Sequence, residues 1–342
     1  MKRALAGALV LLALAPATAA AHIRSTAGFA QIRQEGGSVR YELSLERDLL
    51  AKAAVGADDA AIATYLVPRV QVLLDGVGCE GALRGTTSEQ RNGRAYTRAL
   101  LEYDCAGSPT GAYDLRYGVF ADADAVVDDH TCVTDYRLGE DSGTFVFDAG
   151  HRELDVGDAG PLSSVPRFVE LGIEHILGGL DHVLFLVALL LGARGFMSVV
   201  KLATTFTAAH SITLGLAAIG WVDVPPEIVE PLIALSIAYV AVENIVGGET
   251  RHRLAVVFGF GLLHGLGFAS SLGFTDELGG QLLASLFSFN VGIEVGQALI
   301  VAALFPALLL VRRMRWSPLA HAGATTVAAG FGFVWFVERL LA

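Results

Sequence analysis

Charge, cysteine and basic clusters are all scarce in this chain, and each shortage excludes something. Only 17% of its 342 residues are Asp, Glu, Lys or Arg, against 53% hydrophobic, a balance that belongs to membrane proteins rather than soluble globular ones. No stretch interleaves basic residues with aromatics, so nucleic acid is set aside as a partner. The three cysteines, Cys79, Cys105 and Cys132, all fall in the first half. The apolar second half therefore offers no thiolate to a soft metal ion.

What charge there is lies unevenly. Most of the net −11 falls between His22 and Arg167, and the rest of the chain is close to neutral. The acidic part reads as a soluble domain and the apolar part as membrane. Lys2 and Arg3, the apolar run Ala4 to Ala15, Pro16 and the small residues Ala17 to Ala21 have the layout of a secretory signal peptide over residues 1–21. Residues 22–160 then form an exported domain, and residues 167–342 a transmembrane domain.

Export permits a disulfide, and a Cys79–Cys105 bridge is expected. It would link two strand-like runs, Val70 to Leu74 and Arg98 to Tyr103, across a turn-rich segment from Gly85 to Gly93. Cys132 is left over as a buried or partner-linked thiol rather than a metal ligand. Alternating or β-branched runs at Val39 to Leu45, Val67 to Leu74, Tyr96 to Tyr103, Tyr113 to Phe120 and Thr144 to Phe147 predict an all-β, antiparallel, sandwich-like domain. One helical piece, Leu49 to Ala63, interrupts them.

Beyond Pro161 and Pro166 come six apolar segments: Phe168 to Leu191, Val199 to Ile219, Ile228 to Val246, Leu254 to Leu272, Leu282 to Val311 and Ala322 to Leu341. Each is long enough for a bilayer core that needs about 20 residues, which predicts a bundle of six transmembrane helices. With the exported domain outside, the inner loops hold Arg194, Arg251 and Arg253, then Arg312, Arg313 and Arg315. The outer ones hold Asp223 and Glu227, then Asp276 and Glu277. Signal peptide and positive-inside bias thus agree on an inner-membrane, multi-pass protein with its N-terminal domain and C-terminus on the periplasmic side.

Ionisable residues inside such segments are expensive and point to a function. The first segment carries Glu174, His175, Asp181 and His182 within EHILGGLDH. On a helix, His175, Gly178, Gly179 and His182 share one face, with His175 roughly 10 Å and His182 roughly 21 Å below the outer end at 1.5 Å per residue. His210 and His264 lie at roughly 13 Å, and Asn290 and Glu294 at roughly 12 and 18 Å. Asn290, Glu294 and Gln297 form a polar stripe, as do Ser236, Tyr239 and Glu243, while Thr204, Thr207 and Ser211 flank His210. These stripes are expected to face inward. On a straight helix His175 and His182 stand about 10.5 Å apart, too far for one ion at ligand distances of roughly 2 Å. Either the helix opens at Gly178-Gly179, or two sites are stacked.

A lone histidine or asparagine in a bundle often only bridges two helices, but His175, Asp181 and His182 together, with Glu294 at similar depth, favour a metal site. Imidazoles and carboxylates in about equal number suit a borderline divalent ion, Ni²⁺, Co²⁺, Zn²⁺ or Cu²⁺. Neutral imidazole also makes the site sensitive to protons.

At these residues the chain resembles the HupE/UreJ family of integral membrane proteins, in its longer branch with an exported N-terminal domain. The resemblance rests on His175, five residues, then Asp181-His182; on TFTAAHSITL around His210; on GFGLLHGLGFA around His264; and on FNVGIEVGQ around Asn290 and Glu294, and it runs from Val169 to about Leu341. It implies a nickel or cobalt permease, not an enzyme, associated with hydrogenase and urease maturation, in which His175, Asp181, His182, His210, His264 and Glu294 line the metal path. Asn290 joins that set as a candidate ligand. The divalent ion is then the substrate, and the expected partners are the lipid bilayer and metalloenzyme-maturation or periplasmic metal-delivery proteins. The same ligands suit two other readings. One is an intramembrane zinc hydrolase with Glu294 as general base; the other is a non-transporting receptor or assembly factor. Two exported features are weaker cation candidates: His22 beside a free α-amine after cleavage, and the acidic loop Asp122, Asp124, Asp128, Asp129, His130.

Overall fold

The computed structural model describes residues 26–53, 55–91, 94–106, 111–121, 130–157, 164–193, 195–222, 224–246, 252–272 and 280–341. The expected signal peptide at residues 1–21, the expected His22 terminus and Asp122, Asp124, Asp128 and Asp129 lie outside the described residues.

The first half is β-rich. In chain order it comprises β1 (Thr26–Glu35), β2 (Ser38–Glu46), α1 (Arg47–Lys52), α2 (Asp59–Leu66), β3 (Val70–Leu74), β4 (Val77–Gly78), β5 (Glu80–Arg91), β6 (Arg94–Asp104), β7 (Tyr113–Tyr117), β8 (His130–Leu138), β9 (Asp141–Phe147) and β10 (Glu153–Asp155). One sheet has the order β5-β6-β2-β1-β8-β9 and the other β10-β7-β3-β4. In β2, Val39, Tyr41, Leu43 and Leu45 are buried at alternate positions while Arg40 and Glu42 turn away, the period-two pattern of a half-buried strand. Their core is completed by Val70, Val72 and Leu115 of the second sheet.

Three expectations need correction. The sheets are not wholly antiparallel, because β1 and β8 run parallel from Thr26↔His130 to Arg33↔Arg137. Gly85 to Gly93 is not a set of turns: up to Arg91 it belongs to β5, which pairs with β6. As an edge strand with few buried residues, β5 needs no apolar alternation. The single helix over Leu49 to Ala63 is two, separated around Gly56.

The Cys79–Cys105 disulfide is present. It closes the base of the β5–β6 hairpin, across a separation of 26 residues. Cys132 is a buried free thiol.

The second half is helical: α3 (Val165–Gly178), α4 (Leu180–Gly192), α5 (Phe196–Ala218), α6 (Pro226–Val246), α7 (Arg253–Leu272), α8 (Gly280–Arg312) and α9 (Ser317–Leu341). By length and composition three of them, α6, α8 over Leu283–Arg312, and α9, can cross a membrane. A fourth span results if α3 and α4, bent by 69° at their junction, are counted together. Six were expected. The 23-residue α5 carries Lys201, Thr204, Thr205, Thr207, His210 and Ser211 along its middle, which lowers its hydropathy, and α7 is apolar over the shorter stretch Arg253–Gly267.

Glycine sets the helix pairing. A Cβ on Gly172 of α3 would lie 2.1 Å from the Phe289 carbonyl of α8, and one on Gly292 would lie 2.1 Å from the Val169 carbonyl. Gly261 and Gly265 bring α7 nearly as close to the Phe206 and His210 carbonyls of α5, and Gly332 brings α9 onto Ala238 of α6. Three tight pairs result, α3–α8, α5–α7 and α6–α9, by the small-residue contact that lets helix backbones approach closely in lipid. The β half rests on the first pair. Phe29, Tyr96, Val133 and Val146 share a buried cluster with Phe168 of α3 and Leu286, Phe289 and Ile293 of α8.

Candidate functional site

The helix opens at the glycines. Gly179 leaves helical geometry at φ −75° and ψ 92°, ending α3 and starting α4. Its amide still donates to the His175 carbonyl, 3.0 Å away. A Cβ there would fall 2.7 Å from that carbonyl oxygen and 2.7 Å from His182 Nδ1, so the bend leaves room for glycine alone. Of the two arrangements open from the sequence, the bend is the one found. It replaces a separation of about 10.5 Å on a straight helix with ring centres 4.6 Å apart.

The other two histidines singled out in the apolar segments come to the same place. His182 has ring-centre distances of 5.1 Å to His264 and 6.0 Å to His210, and His210 is 5.9 Å from His175. Four helices, α3, α4, α5 and α7, thus supply one imidazole each, with His182 in the middle. All four are buried or nearly so; His210 has no exposed surface and His264 1%. Phe289, Phe206 and Phe185 wall the group, with Phe185 and Phe206 each 5.1 Å from His264.

The hydrogen bonding of this group is incomplete. His264 Nε2 meets the Ser236 hydroxyl of α6 at 2.9 Å. Among the described residues no partner reaches His264 Nδ1 or either ring nitrogen of His182 and His210. A buried polar atom without a partner forfeits roughly 1–3 kcal/mol, and here five such atoms lie on three neighbouring rings. As the side chains stand, no group of three or more His, Cys, Asp or Glu among the described residues is set to hold a metal ion. A small cavity with room for about one water lies against His182, Ile176, Phe206 and Gln297.

The remaining predicted ligands are placed differently. Asp181, in the first turn of α4, accepts from Arg339 Nη2 of α9 at 2.9 and 3.2 Å, so its carboxylate is already paired. Asn290 Oδ1 accepts from Ser211 of α5 at 2.7 Å while its Nδ2 donates to the Leu286 carbonyl. Its amide therefore ties α5 to α8, as Gln297 does through Thr207. Glu294, one turn beyond Asn290, is half-buried and, among the described residues, joined to none of the rings by a hydrogen bond or ion pair. Two stripe residues expected to face inward do not: Thr204 and Tyr239 are exposed, Tyr239 by 48%. Exposure inside an apolar bundle suits a residue on the lipid-facing side.

Arg339 escaped the sequence reading. A single arginine near the end of an apolar helix reads as an interfacial anchor, and no spacing ties it to Asp181, 158 residues away. The C-terminal end of α4 has similar unread partners. Arg253 donates to the Gly192 carbonyl, Asn244 to that of Ala188, and Arg312 to those of Leu191 and Ala193. His321 completes the set at the Leu191 carbonyl.

These motifs sit in a region that matches the family model described as HupE / UreJ protein over residues 152–339. The match spans more than half of the chain, and the chain belongs to that family. No curated protein matches it. Family and apolar helices together mark a membrane protein.

Proposed function

We propose that this chain is a permease carrying a divalent transition-metal ion, Ni²⁺ or Co²⁺ by preference, with Zn²⁺ and Cu²⁺ open to the same donors. The observation that carries the reading is the meeting of four imidazoles from four helices in a buried, aromatic-walled pocket, with unpartnered ring nitrogens on His182, His210 and His264. Four imidazoles around one tetrahedral ion, bound at roughly 2.0–2.1 Å, would have ring centres on the order of 5 Å apart. Four of the six ring pairs lie at 4.6–6.0 Å, close to that. Small ring rotations would complete the set when the ion arrives.

The broken helix supports a cation as cargo. The break ends α3 at Gly178, beside the His175–His182 ring pair, and half-helix C-termini are where membrane transporters hold cations. Asp181, Asn290 and Glu294 form an outer circle of the path. Counting α3 with α4 as one broken span and α5 to α9 as five more gives six spans. The β domain and the C-terminus then lie on the periplasmic side of an inner membrane, where metal-delivery or metalloenzyme-maturation proteins are the natural partners.

The test is flux of Ni²⁺, Co²⁺, Zn²⁺ and Cu²⁺ into liposomes containing the purified chain. Uptake of one or more, abolished in His182→Ala and His210→Ala, is the expected result. Stoichiometric zinc retained through purification, with no flux, would turn the reading toward a hydrolase.

A further inference from the structure

The thirteen-residue helix α4 is held at both ends by side chains from other helices. Its last carbonyls are taken by Arg253, Arg312 and His321, as described above. Its first turn is held by one residue, Arg339. That guanidinium reaches both carboxylate oxygens of Asp181 and, through Nη1, the Glu230 carbonyl of α6 at 3.2 Å, and lies 5.7 Å from the ring centre of Trp335. The ion pair is largely shielded, with side-chain exposures of 8% for Arg339 and 17% for Asp181.

We infer that Arg339 is a positioning residue: by holding Asp181 it fixes the first turn of α4, and so places His182 at the centre of the four imidazoles. The inference rests on the metal-path reading above. Gly179 gives α4 no continuous backbone helix to hold it in line with α3, and a two-point contact on the residue next to His182 supplies the missing constraint. The α6–α9 pair, which meets His264 through Ser236, thereby gains a second link to the site that α3–α8 and α5–α7 reach through His175, His210 and His264.

A rival role has the opposite sign. If Asp181 were a direct ligand from which Arg339 is displaced, removing Arg339 would free the carboxylate and tighten binding. Removing a cation beside a cation site acts in the same direction by Coulomb's law. Loss of positioning acts against both. The measurement is Co²⁺ titration calorimetry on the purified full chain in detergent micelles.

Arg339→Gln is expected to weaken Co²⁺ binding by about tenfold or more, as loss of a residue that orients a ligand does. Arg339→Lys should recover part of that loss, and Asp181→Asn/Arg339→Gln should be no worse than Arg339→Gln, since both remove the same link. Binding that is unchanged or tighter in Arg339→Gln overturns the inference. Should that variant not purify as a folded species, Arg339→Lys, which keeps Asp181 and the charge but not the guanidinium contact, decides: binding weaker than wild type supports the inference, unchanged or tighter binding overturns it. A wild-type chain that binds neither Co²⁺ nor Ni²⁺ overturns the metal reading itself, a result separable from any difference among variants.

Discussion

His175 and His182, seven residues apart in the chain, stand with ring centres 4.6 Å apart because α3 and α4 meet at a bend of 69°. The bend depends on Gly179, where an added Cβ would strike both the His175 carbonyl and the His182 ring. Gly179→Ala is therefore expected to push His182 away from its neighbours. Co²⁺ affinity should fall by about tenfold or more, and stability by about 1–3 kcal/mol through overpacking. Calorimetry and thermal unfolding of the same preparation measure the two effects. Wild-type affinity in Gly179→Ala would mean that the bend is not what assembles the rings.

The α3–α8 contact makes a second prediction. Gly172 and Gly292 face each other, and a methyl group on either would meet backbone, which cannot swing aside as a side chain can. Gly292→Ala should destabilise the helical half by about 1–3 kcal/mol. Gly172→Ala combined with it should fall short of additivity, because one forced separation of the helices relieves both clashes. Thermal unfolding of the single and double variants in one detergent gives the comparison. Additive losses would show that the two glycines act apart.

Cys132 offers a prediction about pH. Burial in the sandwich core pushes its thiol up to about 12, with Thr134 and Tyr117 nearby. At pH 8 about one such thiol in ten thousand is ionised, against roughly a quarter of exposed thiols. The folded chain should thus leave Cys132 unmodified by iodoacetamide at pH 8 and expose it on denaturation, as mass spectrometry would show. Only the unfolded chain ionises this thiol between about pH 8.5 and 12. The stability it contributes is complete below about pH 8.5 and is lost above it, by up to about 1.4 kcal/mol per pH unit.

What could be read from the sequence followed the physics of each half. Histidines in apolar runs stand out because lipid tolerates them poorly, so His175, His182, His210 and His264 could be named from one sequence. The bend that unites two of them was visible only as an option, since Gly178-Gly179 permits a break without requiring one. Strands such as β2, buried on alternate residues, showed their period. The edge strand β5 did not, because its residues are only part-buried or exposed and no alternating apolar face is imposed on it. Arg339 and the caps of α4 were illegible for a different reason: ion pairs across 158 residues depend on how helices are arranged, and spacing along one helix says nothing of that.

The junction between the two halves turns on Arg167, at the start of α3. Its Nη2 lies 2.6 Å from Asp148 at the end of β9, and its Nη1 2.8 Å from Glu170 and 3.6 Å from Glu174 on its own helix. The Asp148 side chain is 9% exposed and that of Arg167 18%, so water screens this contact less than a surface pair. Asp148→Asn keeps the shape and removes the acceptor's charge, which should cost about 1–3 kcal/mol of docking as an ion pair becomes a hydrogen bond from the guanidinium to a neutral amide. The apolar contacts of Phe29, Val133 and Val146 with α3 and α8 remain, so the β domain should loosen on the bundle rather than unfold. Hydrogen exchange would locate the change. Faster exchange confined to the first turns of α3 and the end of β9, with the strands around Cys79–Cys105 unaffected, is the expected pattern. Uniform acceleration through the whole β domain would show instead that Asp148 supports the domain itself.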